Sequence, residues 1–332
     1  MTEKKKHIKI IATGGTIAGS GNSPTTITGY TPGTKDIKEI IKDIPLVTEE
    51  NEISYQQLFN IDSVDMTNEL MIQLAKHLQK SLEDESIDGA VVTLGTDTLE
   101  EVGYFLHLVL NTDKPVILVG AVRPATAIGT DGLINLHQAI NVAADNQSVN
   151  KGVLIVMNSR ILSTRYVTKV NTTMTDAFQS LEAGAIGNIV GDRVYYFYDR
   201  PSFKHTHETI FDINDLTWLP KVSIVIAHQG DDNFQIKEAV NRKCEGLIIA
   251  TAGGYTISTK ISEYLKNIVT SNIKIVRTSR LGHGITSKTH LENEYNFIAS
   301  ETLNANKSRI LLMLLIKYKI KNNDLQDYFN KY

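Results

Sequence analysis

The sequence predicts an α/β protein with two α/β domains: a larger N-terminal one on a mostly parallel sheet with flanking helices, and a smaller C-terminal one. Short apolar runs alternate with segments of helical periodicity, which is the pattern of βα units. The stretch 199–220 has two prolines and no periodicity, and a second βα series follows it. We therefore expect an N-terminal domain over 1–198, a linker over 199–220 and a C-terminal domain over 221–332.

Composition excludes several classes of protein. The chain is 42% hydrophobic and 21% charged with a net charge of −3, so nothing favours a nucleic-acid partner. It has no apolar run of ~20 residues that could span a membrane. The single cysteine, Cys244, excludes an internal disulfide, and the apolar run 8–12 is too short for a signal peptide. We expect a cytoplasmic protein, or a periplasmic one if a signal has been removed.

The elements of the first domain follow from apolar runs and helical spacing. Leucines at 70, 74, 78 and 82, for example, lie on one face of a helix. Strands are predicted at 7–12, 52–60, 90–93, 115–119, 152–157 and 193–198, and helices at 35–42, 70–82, 98–110 and 131–144. This alternation favours parallel strands joined by right-handed crossovers.

The second domain repeats the scheme on a smaller scale. It contains no glycine-rich phosphate loop, which favours a role in assembly and in supporting a lid. Its last predicted helix has an apolar run, 310–316, suited to burial at a domain or subunit contact. Strands are predicted at 222–226, 247–250 and 273–277, and helices at 234–243, 257–268 and 305–318.

The turn 94–97 is the centre of the predicted site. It joins the buried strand 90–93 to a helix whose first residues, 98–101, match a capping box. A strand-to-helix turn lies at the carboxyl end of a sheet, where open α/β proteins bind ligands. The Thr96 hydroxyl and the Asp97 carboxylate would face that ligand. The alternative is that both residues only cap the helix.

Four further segments are candidates. The glycine pair after the first strand, Gly14 and Gly15, fits neither dinucleotide nor phosphate-loop patterns. The polar loop 19–33 contains one aromatic residue, Tyr30, and its length favours a functional lid. Ser63 also lies between a strand and a helix. Lys169 is the only amine in a run of hydroxyls, although a solvated lysine on a hairpin is an alternative. His205 and His207 are a weak indication of metal.

Three motifs together resemble the bacterial L-asparaginase and glutaminase-asparaginase family. They are the loop 12–19 (ATGGTIAG), the turn 95–98 (GTDT) and the segment 167–173 (VTKVNTT). The likeness runs from end to end, and 171–173 and 204–206 are more similar to the exported type than to the cytosolic type. The resemblance implies hydrolysis of L-asparagine to L-aspartate and ammonia through a threonine acyl-enzyme. It also implies a homotetramer of intimate dimers, with a small-molecule substrate and no metal or organic cofactor.

The resemblance assigns roles to residues by their matching positions. Thr16 is the nucleophile and Tyr30 the proton acceptor, for which the pKa of the phenol would have to be depressed. Thr96, Asp97 and Lys169 form a second set, in which an unprotonated lysine activates Thr96 or the hydrolytic water. In the substrate shell, Ser63 binds the α-carboxylate and Asp97 the α-ammonium group.

The chain departs from the family pattern in its substrate shell. Val64 stands where relatives usually have Gln or Glu, and 252–254 (AGG) where they usually have Asn or Ser near a glycine turn. Leu94 replaces a histidine. The acidic residue that a neighbouring subunit donates in the family should lie near 281–294, a segment that is shortened here, so Glu292, Glu294 or neither supplies it. The departures leave three alternatives open: a broad glutaminase-asparaginase, a catalytically weak amino-acid-binding homologue and, more remotely, a nucleotide-binding protein.

Overall fold

A computed structural model describes residues 5–44, 50–199, 203–254, 256–269 and 273–332. The chain forms two compact units, Met1–Thr217 and Trp218–Tyr332, and their boundary falls inside the stretch predicted as a linker. Each unit contains a sheet with flanking helices. The main sheet of the first unit is mostly parallel, and the sheet of the second unit is fully parallel. The predicted fold class is confirmed.

The first unit contains an eight-stranded sheet in the order β10-β9-β6-β5-β4-β3-β1-β2. The strands from β5 to β2 in this order are parallel, whereas β6, β9 and β10 pair antiparallel. A separate two-stranded hairpin consists of β7 and β8. The strands are β1 His7–Gly14, β2 Glu52–Ile61, β3 Gly89–Thr93, β4 Val116–Val119, β5 Val153–Met157, β6 Arg160–Ser163, β7 Thr168–Lys169, β8 Phe178–Gln179, β9 Gly187–Val190 and β10 Arg193–Tyr196.

The central strands are apolar because helices cover both of their faces. Ile8, Ile10 and Ile11 of β1 are fully buried, as are Val91 and Val92 of β3. Burying each such side chain stabilises the folded state by about 1.5–3 kcal/mol. The buried apolar residues therefore determine where these strands end and where their loops begin. The helices of this unit are α1 Ile37–Lys42, α2 Asn68–Leu82, α3 Leu99–Val109 and α4 Gly132–Ala144.

The second unit is a four-stranded parallel sheet in the order β11-β12-β13-β14, with helices packed against it. In the described ranges, no helix is both long and apolar enough to cross a membrane. The strands of the second unit are β11 Val222–Ile226, β12 Gly246–Thr251, β13 Lys274–Ser279 and β14 Ile298–Ala299. Its helices are α5 Phe234–Asn241, α6 Thr259–Val269, α7 His290–Tyr295, α8 Ala305–Lys317 and α9 Leu325–Lys331.

Several element predictions are wrong. The helix at 305 is not the last one, since α9 follows it, and its run Ile310–Leu315 is buried against the sheet of its own unit. The capping box at Thr98 is absent, because the Thr98 hydroxyl donates to the carbonyl of Ser63 at 3.1 Å and makes no cap. Strands β6 to β9 were not predicted because each has at most four residues and their pairing is antiparallel.

Candidate active site

Three loops of the first unit meet at the carboxyl end of its sheet, and glycines make the contact possible. Gly14 and Gly15 have φ values of 101° and 78°, which glycine adopts without strain. A Cβ on Gly15 would lie 2.4 Å from the backbone N of Gly95, and a Cβ on Gly95 would lie 2.6 Å from Ser63 Oγ. The loop after β1 therefore touches the turn after β3, which touches the segment after β2.

Thr16 and Tyr30 form the first pair of reactive groups. Thr16 opens a single 3₁₀ turn directly after β1 and is 7% exposed. Its Oγ1 lies 2.6 Å from the Tyr30 Oη. The loop that carries Tyr30 is folded back by backbone hydrogen bonds in both directions between Ser20 and Thr31. Two residues predicted from separate motifs are therefore in direct contact.

The environment of Tyr30 has a direct consequence for its protonation. Burial raises the pKa of the Tyr30 phenol above its ordinary 10.0, the hydrogen bond with Thr16 lowers it, and the carboxylates of Asp62, Asp97 and Asp131 raise it further. The net direction is upward, which is opposite to the depression that a simple proton acceptor needs. At neutral pH the phenol is neutral and can both donate and accept one hydrogen bond.

Thr96, Asp97 and Lys169 form the second group. Lys169 Nζ donates to Thr96 Oγ1 at 3.0 Å and to Asp97 Oδ1 at 2.5 Å. Thr96 is 8% exposed, whereas just over half of the Asp97 side chain is exposed. Lys169 is placed by the β7–β8 hairpin, in which it pairs with Phe178. The amine is thus not a solvated hairpin lysine.

Ser63 lies between the two groups. Its Oγ accepts a hydrogen bond from the backbone N of Asp97 at 3.2 Å. Ser63 is 1% exposed, but the neighbouring Val64 is 61% exposed. The exposed Val64 side chain places apolar surface beside a polar site. A polar side chain at the same position would be able to contact a ligand.

Of the two acidic candidates of the second unit, Glu292 is occupied within its own unit. Its Oε1 accepts from Arg277 at 2.7–2.8 Å. Its Oε2 accepts from the Thr289 backbone N at 2.5 Å, as part of a capping box, and from the Thr289 hydroxyl at 2.9 Å. The Arg277 and Glu292 side chains are 0% and 1% exposed, so Glu292 has no oxygen left for another subunit. Glu294, about half exposed and 3.9 Å from Lys266, stays the candidate.

The histidines of the predicted linker diverge. His205 is buried with its ring 5.1 Å from the ring of His107, and His207 faces the carbonyl of Thr112. Across the ranges that the structure describes, no three His, Cys, Asp or Glu side chains are grouped as metal ligands.

Sequence reasoning missed two buried polar residues next to the site. The Asp131 carboxylate accepts hydrogen bonds from the backbone N of Val122 and Arg123, and from Asn135 Nδ2 at 3.0 Å. Asn135 is 1% exposed on the buried side of α4, which also carries Gln138. Its position there was the signal, because a polar residue on a buried face needs a defined partner.

Family models match both units. The model described as "Asparaginase, N-terminal" covers residues 7–202, and "Glutaminase/Asparaginase C-terminal domain" covers residues 221–329. Together these matches cover most of the chain, and the first contains every candidate catalytic residue.

Individual relatives match nearly all of this chain and most of their own length. The chain is 39% identical to L-asparaginase 2 of Bacillus subtilis, covering 100% of this chain and 88% of that protein. It is 37% identical to L-asparaginase 2 of Escherichia coli, covering 98% and 93%. The crystal structure of a probable cytoplasmic L-asparaginase from Campylobacter jejuni superposes with a TM-score of 0.95 at 39% identity, covering 99% and 100%. This chain belongs to the asparaginase family.

Proposed function

We propose that this protein is an L-asparaginase, an amidohydrolase that converts L-asparagine to L-aspartate and ammonia. One observation carries the proposal. Two buried threonine hydroxyls each contact one proton-transfer partner, Thr16 with Tyr30 at 2.6 Å and Thr96 with Lys169 at 3.0 Å. A threonine hydroxyl is a poor nucleophile until a neighbouring group takes its proton, so two such pairs suit a two-step acyl transfer.

In the first step, Thr16 Oγ1 attacks the carbon of the substrate's side-chain amide. The C–N bond breaks, an ester to Thr16 forms, and ammonia leaves. The proton of Thr16 must reach the leaving nitrogen. With its raised pKa, Tyr30 does this as a relay, accepting the threonine proton while giving up its own, so that no free phenolate has to form.

In the second step, water hydrolyses the ester and releases L-aspartate. We assign Lys169 and Thr96 to this proton transfer, because the amine donates to Thr96 Oγ1 and to Asp97 Oδ1. An amine must be unprotonated to act as a base. Substrate binding could prepare it, because a substrate ammonium group would compete for the Asp97 carboxylate.

Ser63 and Asp97 account for recognition of a free amino acid. The Ser63 hydroxyl can donate to the substrate α-carboxylate, and the half-exposed Asp97 carboxylate can hold the α-ammonium group. Val64 offers neither a donor nor an acceptor at the edge of this shell. Thr96 completes the substrate shell. An amide inside a peptide has neither charged group at the required place, so it would bind poorly.

Ammonia release from L-asparagine, from L-glutamine and from a blank tests the proposal. We expect release from asparagine that exceeds release from glutamine. Two relatives named glutaminase-asparaginase, from Pseudomonas fluorescens and Pseudomonas aeruginosa, are 33% and 32% identical to this chain, so equal rates would assign it the broad amide preference instead. No release above the blank would indicate a binding homologue.

The same proposal covers the domains of the active protein, its assembly and its cellular compartment. We propose a catalytic domain over 1–198, a linker over 199–220 and a supporting domain over 221–332, assembled as a homotetramer in which Glu294 faces a neighbouring site. Sedimentation analysis tests the assembly. The proposed compartment is the cytoplasm, and cell fractionation tests it, since relatives are described as both cytoplasmic and periplasmic.

The loop 19–33 is proposed as the lid of this site. It brings Tyr30 to Thr16 and contains no helix or extended strand. Limited proteolysis within 19–33 should slow when L-aspartate is added, because the product would hold the loop closed. Cleavage that a saturating amount of L-aspartate leaves unchanged would contradict the lid.

A further inference from the structure

A line of polar side chains connects the loop behind Thr96 to the β7–β8 hairpin. It begins at Asp131, which accepts from the backbone N of Val122 and Arg123 at 2.9–3.1 Å. These bonds fix the loop after β4. Gly120, where that loop starts, packs so closely that a Cβ there would lie 3.1 Å from the methyl group of Thr96. Asp131 therefore fixes the loop that starts at Gly120, and Gly120 packs against the methyl group of Thr96.

Asn135 continues the line toward the next strand. Its Nδ2 donates to Asp131 Oδ2 at 3.0 Å and to the Gly120 carbonyl at 3.1 Å, and its Oδ1 accepts from the backbone N of Asn158 at 3.1 Å. The Asn135 side chain is almost completely buried, so these bonds are protected from water. They join the loop after β4 to the turn between β5 and β6.

That turn consists of Asn158 and Ser159, with φ values of 51° and 59°. The flanking residues Met157 and Arg160 pair with each other, so this is a two-residue hairpin loop with both residues left-handed. Asparagine is a favoured residue in such a turn, so the backbone conformation alone accounts for Asn158. Its side chain also makes a contact outside the turn.

Asn158 Nδ2 donates to Asp176 Oδ1 at 3.2 Å. The same oxygen accepts from Arg160 Nη1, and Asp176 Oδ2 accepts from Gln179 Nε2 at 3.1 Å. Asp176 lies two residues before Phe178, the first residue of β8, which pairs with Lys169. One carboxylate thus ties the hairpin of the catalytic lysine to the main sheet.

We propose that Asn158 and Asp176 are positioning residues that hold Lys169 against Thr96. This inference rests on the proposed role of Lys169. A lysine has a flexible four-carbon side chain, and a two-stranded hairpin is marginally stable by itself. The hairpin needs an anchor if the amine is to stay 3.0 Å from the hydroxyl.

Two glycine substitutions in one turn give the test. Asn158→Gly removes the contact with Asp176 but keeps the backbone N–H that donates to Asn135 Oδ1. Ser159→Gly is the control for a glycine in this turn: it leaves Asp176 untouched and removes only the hydrogen bond that Ser159 Oγ accepts from Gln138 Nε2 at 3.0 Å. We expect kcat to fall roughly tenfold in Asn158→Gly and Asp176→Ala with KM changed less than about twofold, because Lys169 acts on the reaction rather than on binding. Ser159→Gly should stay within about twofold of wild type.

Two further variants refine the expectation. Asp176→Asn keeps an acceptor for Asn158 and should retain at least about half of kcat. Asn158→Gly with Asp176→Ala should be little worse than Asp176→Ala alone, since Asp176→Ala already removes the contact with Asn158 together with those to Arg160 and Gln179.

A second measurement does not depend on activity. Pulse acetylation followed by mass spectrometry should show Lys169 labelled several-fold faster in Asn158→Gly and Asp176→Ala than in wild type or Ser159→Gly. Lys114 is the internal reference, because its Nζ donates to the carbonyls of Leu82 and Asp84, away from the hairpin. Faster Lys169 labelling in a chain without amidase activity would support the positioning role and reject the proposed function.

Two outcomes overturn the inference. The first is unchanged Lys169 labelling and unchanged kcat in both Asn158→Gly and Asp176→Ala. The second is an equal loss in Asn158→Gly and Ser159→Gly, which would assign the effect to the turn and not to its contact with Asp176.

Discussion

The two units end their parallel strands in similar glycine-containing turns but use their polar groups differently. After β1 and β3 of the first unit, Thr16 and Thr96 contact Tyr30 and Lys169. After β12 of the second unit, the Thr251 hydroxyl donates to the carbonyl of Gly253 at 2.8 Å. The first arrangement pairs side chains for which we propose proton transfer, and the second satisfies the backbone of its own loop. A position at the carboxyl end of a sheet is therefore not enough to indicate catalysis.

The same contrast holds for charged residues. Lys169 and Asp97 are partly exposed at the first site, where a substrate could compete for them. Arg277 and Glu292 are buried, and Arg277 also donates to the carbonyls of Gly254 and Ser287. Charges that already bind one another away from solvent are not available to a ligand, and the loss of either one would leave the other buried without a counter-charge.

The largest expected effect is on turnover. Thr16→Ala and Lys169→Met should each reduce kcat by several orders of magnitude, because each removes one member of a reactive pair, while the melting temperature stays near that of wild type. Thr251→Ala is the control from the second unit. It should keep most of the activity and lose about 1 kcal/mol of stability. More than about a tenth of wild-type activity in both first-unit variants would contradict the assignment.

The next effect is on stability. Glu292→Gln should lower the free energy of unfolding by about 3–5 kcal/mol, because it leaves the Arg277 guanidinium buried without a counter-charge. Urea unfolding measures this change. Glu294→Gln is the matched control on the same helix; its exposed contact with Lys266 is 3.9 Å long and should matter by less than about 1 kcal/mol. Equal losses would show that burial does not distinguish the two pairs.

A smaller effect concerns substrate affinity. Val64→Gln should lower KM about tenfold with little change in kcat, since a contact to the α-groups holds ground and transition states alike. Val190→Gln, at an equally exposed valine of β9, should change neither constant. Weaker asparagine binding in Val64→Gln would mean that another residue already supplies this contact.

The smallest effect concerns pH. Since burial raises the pKa of Tyr30 above 10.0, the neutral phenol stabilises the folded state below that pH, and this contribution is lost as the pH rises through the raised pKa. The difference in alkaline absorbance titration between wild type and Tyr30→Phe should show one phenol ionising above pH 10.0, with urea-unfolded protein as the reference. Ionisation below pH 10.0 would favour a depressed acceptor and contradict the relay.

The predicted active-site residues came from motifs whose chemistry is local. Thr16 and Thr96 follow buried strands directly, so the apolar runs before them were enough to place both at the carboxyl end of the sheet. Lys169 stood out as the only amine in a run of hydroxyls, but only the family resemblance gave it a role, because its hairpin has two residues in each strand and no periodicity. The capping box was misread at Thr98 because the pattern does not tell which partner a hydroxyl will take.

The sequence by itself determined the fold class, the family and the residues of the first reactive pair, since alternating apolar runs and glycine-threonine motifs are encoded within a few neighbouring positions. Only the tertiary structure decided the protonation of Tyr30, the burial of Glu292 and the line from Asp131 to Asp176. These properties depend on groups far apart in the chain, such as Asp131 and Tyr30. Burial and the distance between charged groups set the energies of these interactions. Both quantities are defined only once the chain has folded.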